Sequence, residues 1–251
     1  MDLSVTGPKI YFRITIGSVK IDITQTIITL AAVTILLVIG AYFLGRKLTK
    51  RPGKRQVIAE KIVTMLYNMV EETMGKHNLR YAPYIGTIFA SSICCTLIGM
   101  TGIFKSATAD ISVTLAWALV TSVLVWREAI KANGFLGWLK GFAQPVLMTP
   151  MNIVSEIAQP VALAFRHFGN VAGGGVLTSL IYAALAALSS ALFSWLPGVF
   201  GTIPYLQAGI PAVLSLYFDF FSGFVQALVF SLLTMVYVAS AIPVPEGAEA
   251  E

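Results

Sequence analysis

The sequence predicts an all-α integral membrane protein with about five transmembrane helices. The 251-residue chain is 57% hydrophobic and only 12% charged, with a mean hydropathy of +0.80. A soluble domain carries roughly twice that share of charged residues. The charge-free stretches are also long, since residues 168–218 contain no Asp, Glu, Lys or Arg. Most of the chain is therefore expected to lie in lipid.

Three segments predict single membrane crossings, because about 20 helical residues span the roughly 30 Å of hydrocarbon. Residues 24–44 and 83–104 are apolar over this length. Residues 108–127 also qualify if Asp110 and Arg127 lie at the two membrane interfaces.

The last third of the sequence predicts a long helical hairpin. A helix over residues 151–196 would measure roughly 69 Å, more than twice the membrane thickness, so it must tilt steeply or bend. Pro160 removes one backbone hydrogen bond and is the expected bend. Prolines and glycines then cluster before a final helix at residues 209–241. These two helices would form a tilted C-terminal hairpin.

Three further segments lie outside the predicted spans. The extracytoplasmic segment 1–23 alternates apolar and polar residues around Gly17 and Ser18, which predicts a small hairpin, although a structureless tail fits nearly as well. Residues 50–78 predict an amphipathic helix on the inner membrane surface. Residues 242–251 form a short acidic cytoplasmic tail.

The positive charges predict which end of the chain lies outside. A net charge of +5 also suits nucleic acid, but the distribution of charge argues for topology instead. Of the 17 Lys and Arg residues, nine lie between Arg46 and Arg80, and three more between Arg127 and Lys140. Only four fall on the other side if the N-terminus is outside. The positive-inside rule therefore favours an outer N-terminus and a cytoplasmic C-terminus.

Four ionisable side chains fall inside the predicted hairpin: Glu156, Arg166, His167 and Asp219. An arginine at mid-membrane costs roughly 2.5–3.5 kcal/mol to insert, so such residues usually face protein or water and mark an ion path. The alternative is a structural ion pair of Arg166 with Glu156 or Asp219. His167 points about 100° away from Arg166 around the helix, and we favour a packing role for it over that of a titrating relay.

Each helix of the hairpin carries a polar stripe. Residues three, four and seven apart share a helix face, so Arg166, Asn170 and Gly173 line up on the first helix. The stripe on the second helix consists of Ser215, Asp219, Ser222 and Gln226. Two such stripes on neighbouring helices can hold water. The glycines at 173–175 either let another helix approach closely or mark a kink.

The remaining polar residues predict no metal or cofactor site. Cys94 and Cys95 are adjacent in an apolar span, where they suit neither a disulfide nor metal ligation, so we expect them to pack. Asp110 lies at the outer end of a span, where a solvated helix cap is the default interpretation.

These features together resemble subunit a of the rotary F-type ATP synthase, of the bacterial type. The likeness rests on Arg166 followed by HFGN, on the preceding PMNIVSEIAQPVALAF and on FSGFVQALVFSLLTMVYVASA near the end. PYIGTIFASSICCTLIGMTG and TADISVTLAWAL resemble the second and third membrane segments of that family. The likeness covers most of residues 80–241, and the arginine in RxFGN combined with the glutamine in QAxVFxLLTxVY is highly specific.

The resemblance implies roles for several residues and names the partners. Arg166 is expected to be the essential stator arginine, with Asn170 and Gln226 as its polar neighbours. The hairpin is expected to pack against a ring of c subunits. The b subunits of the peripheral stalk and the rest of the complex would be further partners, in the bacterial plasma membrane and without nucleic acid.

The sequence departs from the family pattern at three positions. The residue nine after the arginine is often Glu and here is Gly175, while the residue seven before the glutamine is often His and here is Asp219. A carboxylate lost from one helix thus appears on the facing one. The usual Asn of the second span is replaced by Thr96, which puts a polar role there in doubt.

The resemblance implies a stator with two offset half-channels, which make no ATP themselves but carry protons or Na⁺ to and from carboxylates of the ring. Asp219, with Ser222 and Gln226, is the candidate lining of the outer half-channel. Glu156, roughly 15 Å along the helix from Arg166, is the candidate for the inner one. The alternatives are a self-contained channel or transporter and a structural scaffold. The coupling ion stays open, because its carboxylate would lie on the rotor.

Overall fold

The computed structural model describes residues 9–16, 19–46, 48–50, 52–101, 104–143, 146–193, 206 and 216–243. These ranges are helical apart from one β-hairpin and short connections. Five of the helical segments are long and apolar enough to cross a membrane. The predicted fold class, an all-α membrane protein with about five spans, is confirmed.

The β-hairpin precedes the first helix. Strand β1 (Ile10–Ile16) pairs antiparallel with β2 (Val19–Thr24). Across the pair, Arg13 Nε lies 2.5 Å from Asp22 Oδ1, and this hydrogen bond lowers the pKa of the Asp22 carboxyl below its ordinary value. The predicted hairpin is therefore present, and the expected turn at 17–18 lies outside the described residues.

Of the first three helices, α1 and α3 belong to segments long and apolar enough to cross a membrane, and α2 does not. Helix α1 (Gln25–Gly45) is mostly exposed and buries Gln25, Thr26, Thr29 and Val33 near its start. Helix α2 (Lys54–Met74) is shorter than the predicted segment 50–78 and buries only Val70 and Met74. After a 3₁₀ turn, α3 (Ala82–Met100) ends four residues before the predicted boundary at 104.

Helix α4 (Ile111–Phe142) is much longer than predicted. The expected inner loop at 127–140 is helical, with one break at Gly134, where φ is +70°. Two of the charges in this segment, Glu128 and Lys131, are paired. Glu128 is only 5% exposed and lies 3.0 Å from both Arg80 and Lys131.

The C-terminal hairpin consists of α5 (Thr149–Phe193) and α6 (Ser222–Ser240). Helix α5 contains Pro160 and continues through the three glycines without interruption. Residues Leu216–Phe221, which were expected to be α-helical, form a π-helix that leads into α6. The predicted ends at 194–196 and 209–215, the turn between them and the tail from 244 onward lie outside the described residues.

Helices α3, α4 and α6 form the bundle against which α5 packs. One apolar cluster joins the end of α2 to α3 and α6, and a second joins α3, α4, α5 and α6. Two polar links mark the opposite ends of the bundle. Thr26 Oγ1 donates to Asp110 Oδ2 at 2.9 Å at one end, and the Arg80–Glu128 pair lies at the other.

Candidate functional site: the polar face of α5

Arg166 is exposed on α5, although its neighbours Leu163, Ala164 and His167 are buried. Within the described part of the chain it makes no salt bridge. The alternative of a structural pair with Glu156 is thus not formed. Asp219 lies in the π-helix, and its side chain is outside what the structure describes. The guanidinium of Arg166 is therefore presented outward beside the bundle.

The two predicted polar stripes meet at Asn170 and Gln226. Asn170 Nδ2 donates to Gln226 Oε1 across α5 and α6 at 2.5 Å. Gln226 is 3% exposed, and its Nε2 has no partner among the described residues. A buried amide usually finds one. The pair links the two helices of the hairpin one turn away from Arg166.

A cleft of about 300 Å³ lies between α5 and the start of α6, beside this pair. Its lining includes Asn170, Gly173 and Gly174 of α5, Tyr217 of the π-helix and Ser222 of α6. The amide and hydroxyl groups give water several hydrogen-bonding partners, and the volume is large enough for more than one molecule. The cleft is thus suited to hold water beside Asn170, which lies one helical turn after Arg166.

The glycines along α5 leave an open surface. A Cβ atom added at Gly169, Gly173 or Gly175 would meet nothing within 4 Å. Since α5 is continuous through these positions, the interpretation of the triplet as a kink is not favoured. The described chain leaves room here for a helix of another subunit.

Glu156 lies far from Arg166 and has its own partner. The indole Nε1 of Trp126, on α4, donates to Glu156 Oε1. The half-buried carboxylate lies at the edge of an apolar cavity of about 280 Å³, which Trp138, Phe142 and Ile157 also line. This bond joins α4 to the first part of α5.

Three residues with unassigned roles occupy packing or capping positions. Asp110 accepts a hydrogen bond from Ser112 N at 3.0 Å and so caps α4. Thr96 is buried on α3 against Gly223 of α6, which puts it in a helix contact near the cleft. His167 is completely buried.

Sequence reasoning missed Ser92, Trp117 and Trp126. Ser92 Oγ lies 3.2 Å from His167 Nε2, and Trp117 packs its ring edge against the same imidazole. A signal for Ser92 was available, because Ser92 and Thr96 are one helical turn apart in an otherwise apolar span. No sequence pattern indicates which partner either tryptophan meets.

Together these features define a multi-pass membrane protein whose longest described helix exposes an arginine beside an amide pair, of which Gln226 is buried, and a cleft. The family model described as ATP synthase A chain matches residues 26–239. The chain therefore belongs to the ATP synthase A chain family. It is a membrane subunit of the Fo stator within an F-type ATP synthase.

Curated relatives align over nearly the whole chain. "ATP synthase subunit a, sodium ion specific" from Propionigenium modestum is 29% identical, covering 95% of this chain and 86% of that protein. "ATP synthase subunit a 1" from Chlorobium luteolum is 33% identical, covering 90% and 92%. "ATP synthase subunit a" from Moorella thermoacetica is 30% identical, covering 88% and 91%.

Proposed function

We propose that this chain carries ions to and from the carboxylates of a c-subunit ring through two offset half-channels, and that Arg166 separates them. The observation that carries the proposal is the exposure of Arg166 on α5, next to the Asn170–Gln226 pair and a face without side-chain bulk. A membrane-embedded arginine that faces outward from its own chain needs a partner. A carboxylate of the rotor supplies one.

The chemistry of arginine explains both functions of the site. Its guanidinium is not deprotonated in proteins, so it cannot relay a proton between the half-channels, and leakage is prevented. Its charge also favours the ionised form of a nearby rotor carboxylate, which then releases its ion. One charge crossing a potential of roughly 200 mV provides about 4.6 kcal/mol. The subunit converts this energy into rotation and catalyses no ATP synthesis itself.

The outer half-channel in this proposal runs through the cleft between α5 and the start of α6. Ser222 lines that cleft, and Asp219 lies one turn before it. We assign to Asp219 the carboxylate that the family often has at the position of Gly175. Asp219→Asn should then slow proton-driven ATP synthesis strongly, because an amide keeps the shape but does not titrate.

A second variant tests whether Asp219 acts in the path or only in structure. Gly175→Glu combined with Asp219→Asn should recover part of the rate, since Gly175 has open space around it. Proton pumping and the amount of assembled complex are measured side by side. Full pumping by Asp219→Asn alone would exclude the role, and equal loss of pumping and assembly would make it structural.

The inner half-channel is assigned to Glu156. Its bond from Trp126 holds one carboxylate oxygen, while the side chain is still half-exposed at the beginning of α5. A negative charge there attracts the cation that enters or leaves. The relative from Propionigenium modestum is named sodium ion specific. For this chain the coupling ion is a proton or Na⁺.

The membrane orientation is also a proposal, with the N-terminus outside the bacterial plasma membrane and the C-terminus in the cytoplasm. It rests on the distribution of lysine and arginine. The Arg80–Glu128 pair places its two segments on the same side of the membrane, whichever side that is. The b subunits would bind to a surface of this chain other than the one that contacts the ring.

A membrane-impermeant thiol reagent tests the orientation. It should label Lys54→Cys only from the inside and Gly198→Cys only from the outside. Labelling from the reverse sides would invert both half-channels.

The test of the proposed function is Arg166→Ala in the assembled complex, reconstituted into vesicles. Ion-driven ATP synthesis should fall to background at an unchanged amount of complex, and Arg166→Lys should not restore it, because lysine lacks the planar, weakly hydrated guanidinium. Arg127→Ala, at another exposed arginine, is the matched control and should behave like the wild type. Near-normal synthesis by Arg166→Ala, or solute transport by the isolated chain, would contradict the proposal.

A further inference from the structure

Helix α5 contacts the rest of the chain along a narrow strip. Its buried residues are Pro160, Leu163, Ala164, His167, Gly174 and Ser189. The first four follow the spacing of a single helix face. The direction in which Arg166 points therefore depends on how firmly this strip is held.

His167 is the centre of that strip. Its Nε2 lies 3.2 Å from Ser92 Oγ of α3. Its ring meets Trp117 of α4 edge-on at 6.1 Å between centroids, and Phe230 of α6 at 5.3 Å. One side chain of α5 thus touches the three other helices of the bundle.

The position of His167 sets that of Arg166. Consecutive residues in a helix differ by about 100° in direction and ~1.5 Å in height, so fixing one fixes the other. The apolar contacts of Leu163 and Ala164 give attraction but little directional preference. A hydrogen bond is directional and tolerates little rotation of α5.

Packing alone does not account for an imidazole at this site. His167 Nδ1 is buried without a partner among the described residues, and a buried polar atom in that state destabilises the fold. An apolar side chain would fill the space without this cost. The advantage of His167 over such a side chain is its directional contact with Ser92.

We propose that His167 is a positioning residue, held by Ser92, that fixes the rotation of α5 at which Arg166 faces the rotor. This rests on the proposed function of Arg166. If the bond is lost, α5 visits orientations in which the arginine no longer separates the half-channels. Ions then pass without rotation. The signature is a leak, which a simple loss of assembled complex would not produce.

The experiment uses the complete complex in vesicles and measures passive proton leak per assembled complex, together with ATP synthesis. Ser92→Ala and His167→Leu remove the bond from either side. Loss of one hydrogen bond shifts an orientational equilibrium about fivefold, so the leak should rise about fivefold while synthesis falls less. His167→Gln should restore a low leak, because its amide can bond to Ser92. Ser91→Ala, at the half-buried neighbour, is the matched control.

The leak decides the outcome. An unchanged leak per complex in both Ser92→Ala and His167→Leu would overturn the positioning role, even if less complex assembles. A leak in His167→Gln as high as in His167→Leu would also overturn it. If Arg166→Ala abolishes ATP synthesis but Ser92→Ala and His167→Leu have a normal leak and normal synthesis, only the positioning role of His167 is overturned. If Arg166→Ala synthesises ATP at a normal rate, the proposed function of Arg166 is overturned as well.

Discussion

The two helices of the C-terminal hairpin differ in how they are held. Helix α6 buries eight of its 19 residues, and α5 buries six of 45. The glycines show the same contrast. A Cβ at Gly223 of α6 would overlap the methyl group of Thr96, while one at Gly173 of α5 would meet nothing within 4 Å.

This difference indicates which helix belongs to the bundle and which presents a surface. Lipid is as apolar as leucine, so helices associate in membranes through close packing and hydrogen bonds. Helix α6 packs closely on α3 through Gly223, and the Asn170–Gln226 pair bonds it to α5. Helix α5 uses one strip for packing, and among the described residues nothing lies against the side with Arg166 at Gly169 or Gly173.

The largest expected effect comes from filling the open face. Gly173→Leu adds a bulky side chain where the described chain has space, so the isolated subunit should fold normally. In the complex the leucine would push the rotor away from Arg166 and also fill part of the cleft that Gly173 lines, so ion-driven ATP synthesis should fall close to background. Gly40→Leu, at an equally open glycine of α1, is the control and should keep its activity. Normal synthesis by Gly173→Leu would mean that this face meets lipid only.

A smaller effect, of a different kind, is expected from the packed glycine. Gly223→Ala forces Thr96 and α3 away from α6, and overpacking of this kind costs about 1–3 kcal/mol. The thermal stability and yield of the subunit should fall before any rotor is present. Thr96→Ala in the same chain removes the overlapping methyl group and should restore most of the stability. If Gly223→Ala is as stable as the wild type, α3 and α6 do not pack as closely at Thr96 and Gly223 as described.

The smallest effect separates the two roles of Glu156. Glu156→Gln keeps an oxygen that can accept from Trp126 but removes the charge, whose attraction for a cation in water is worth ~1 kcal/mol, or about fivefold in rate. Glu156→Ala also loses the bond and should lower the amount of complex. Trp126→Phe should lower that amount without changing the rate per complex. Equal rates for Glu156→Gln and the wild type would leave Glu156 a structural link only.

The sequence alone predicted the features that depend on hydropathy and helical spacing. Long apolar stretches identify the five spans, and the spacing of Arg166, Asn170 and Gln226 predicted the two stripes that meet in the hydrogen-bonded pair. These features are local, because each follows from the 3.6-residue period of a single helix. The family could be recognised for the same reason, since its motifs are continuous in sequence.

Features that depend on contacts between helices could not be predicted in this way. An inner loop was expected at residues 127–140, yet α4 continues through them, and Glu128 pairs with Arg80 of another segment. The bond from Ser92 to His167 likewise joins residues 75 positions apart. Apolar surface is similar on all sides of a membrane helix, so periodicity does not reveal which neighbour a given face meets.

The central claim is that the exposed arginine face of α5 meets the rotor. A structure of the complete complex tests it most directly, through the position of Arg166 relative to the ion-binding carboxylates of the ring. We predict that its guanidinium lies within ion-pair distance, about 4 Å, of one such carboxylate, with Gly169 and Gly173 against the same ring helix. Lipid along this face, with another helix of the subunit against the ring, would contradict the account.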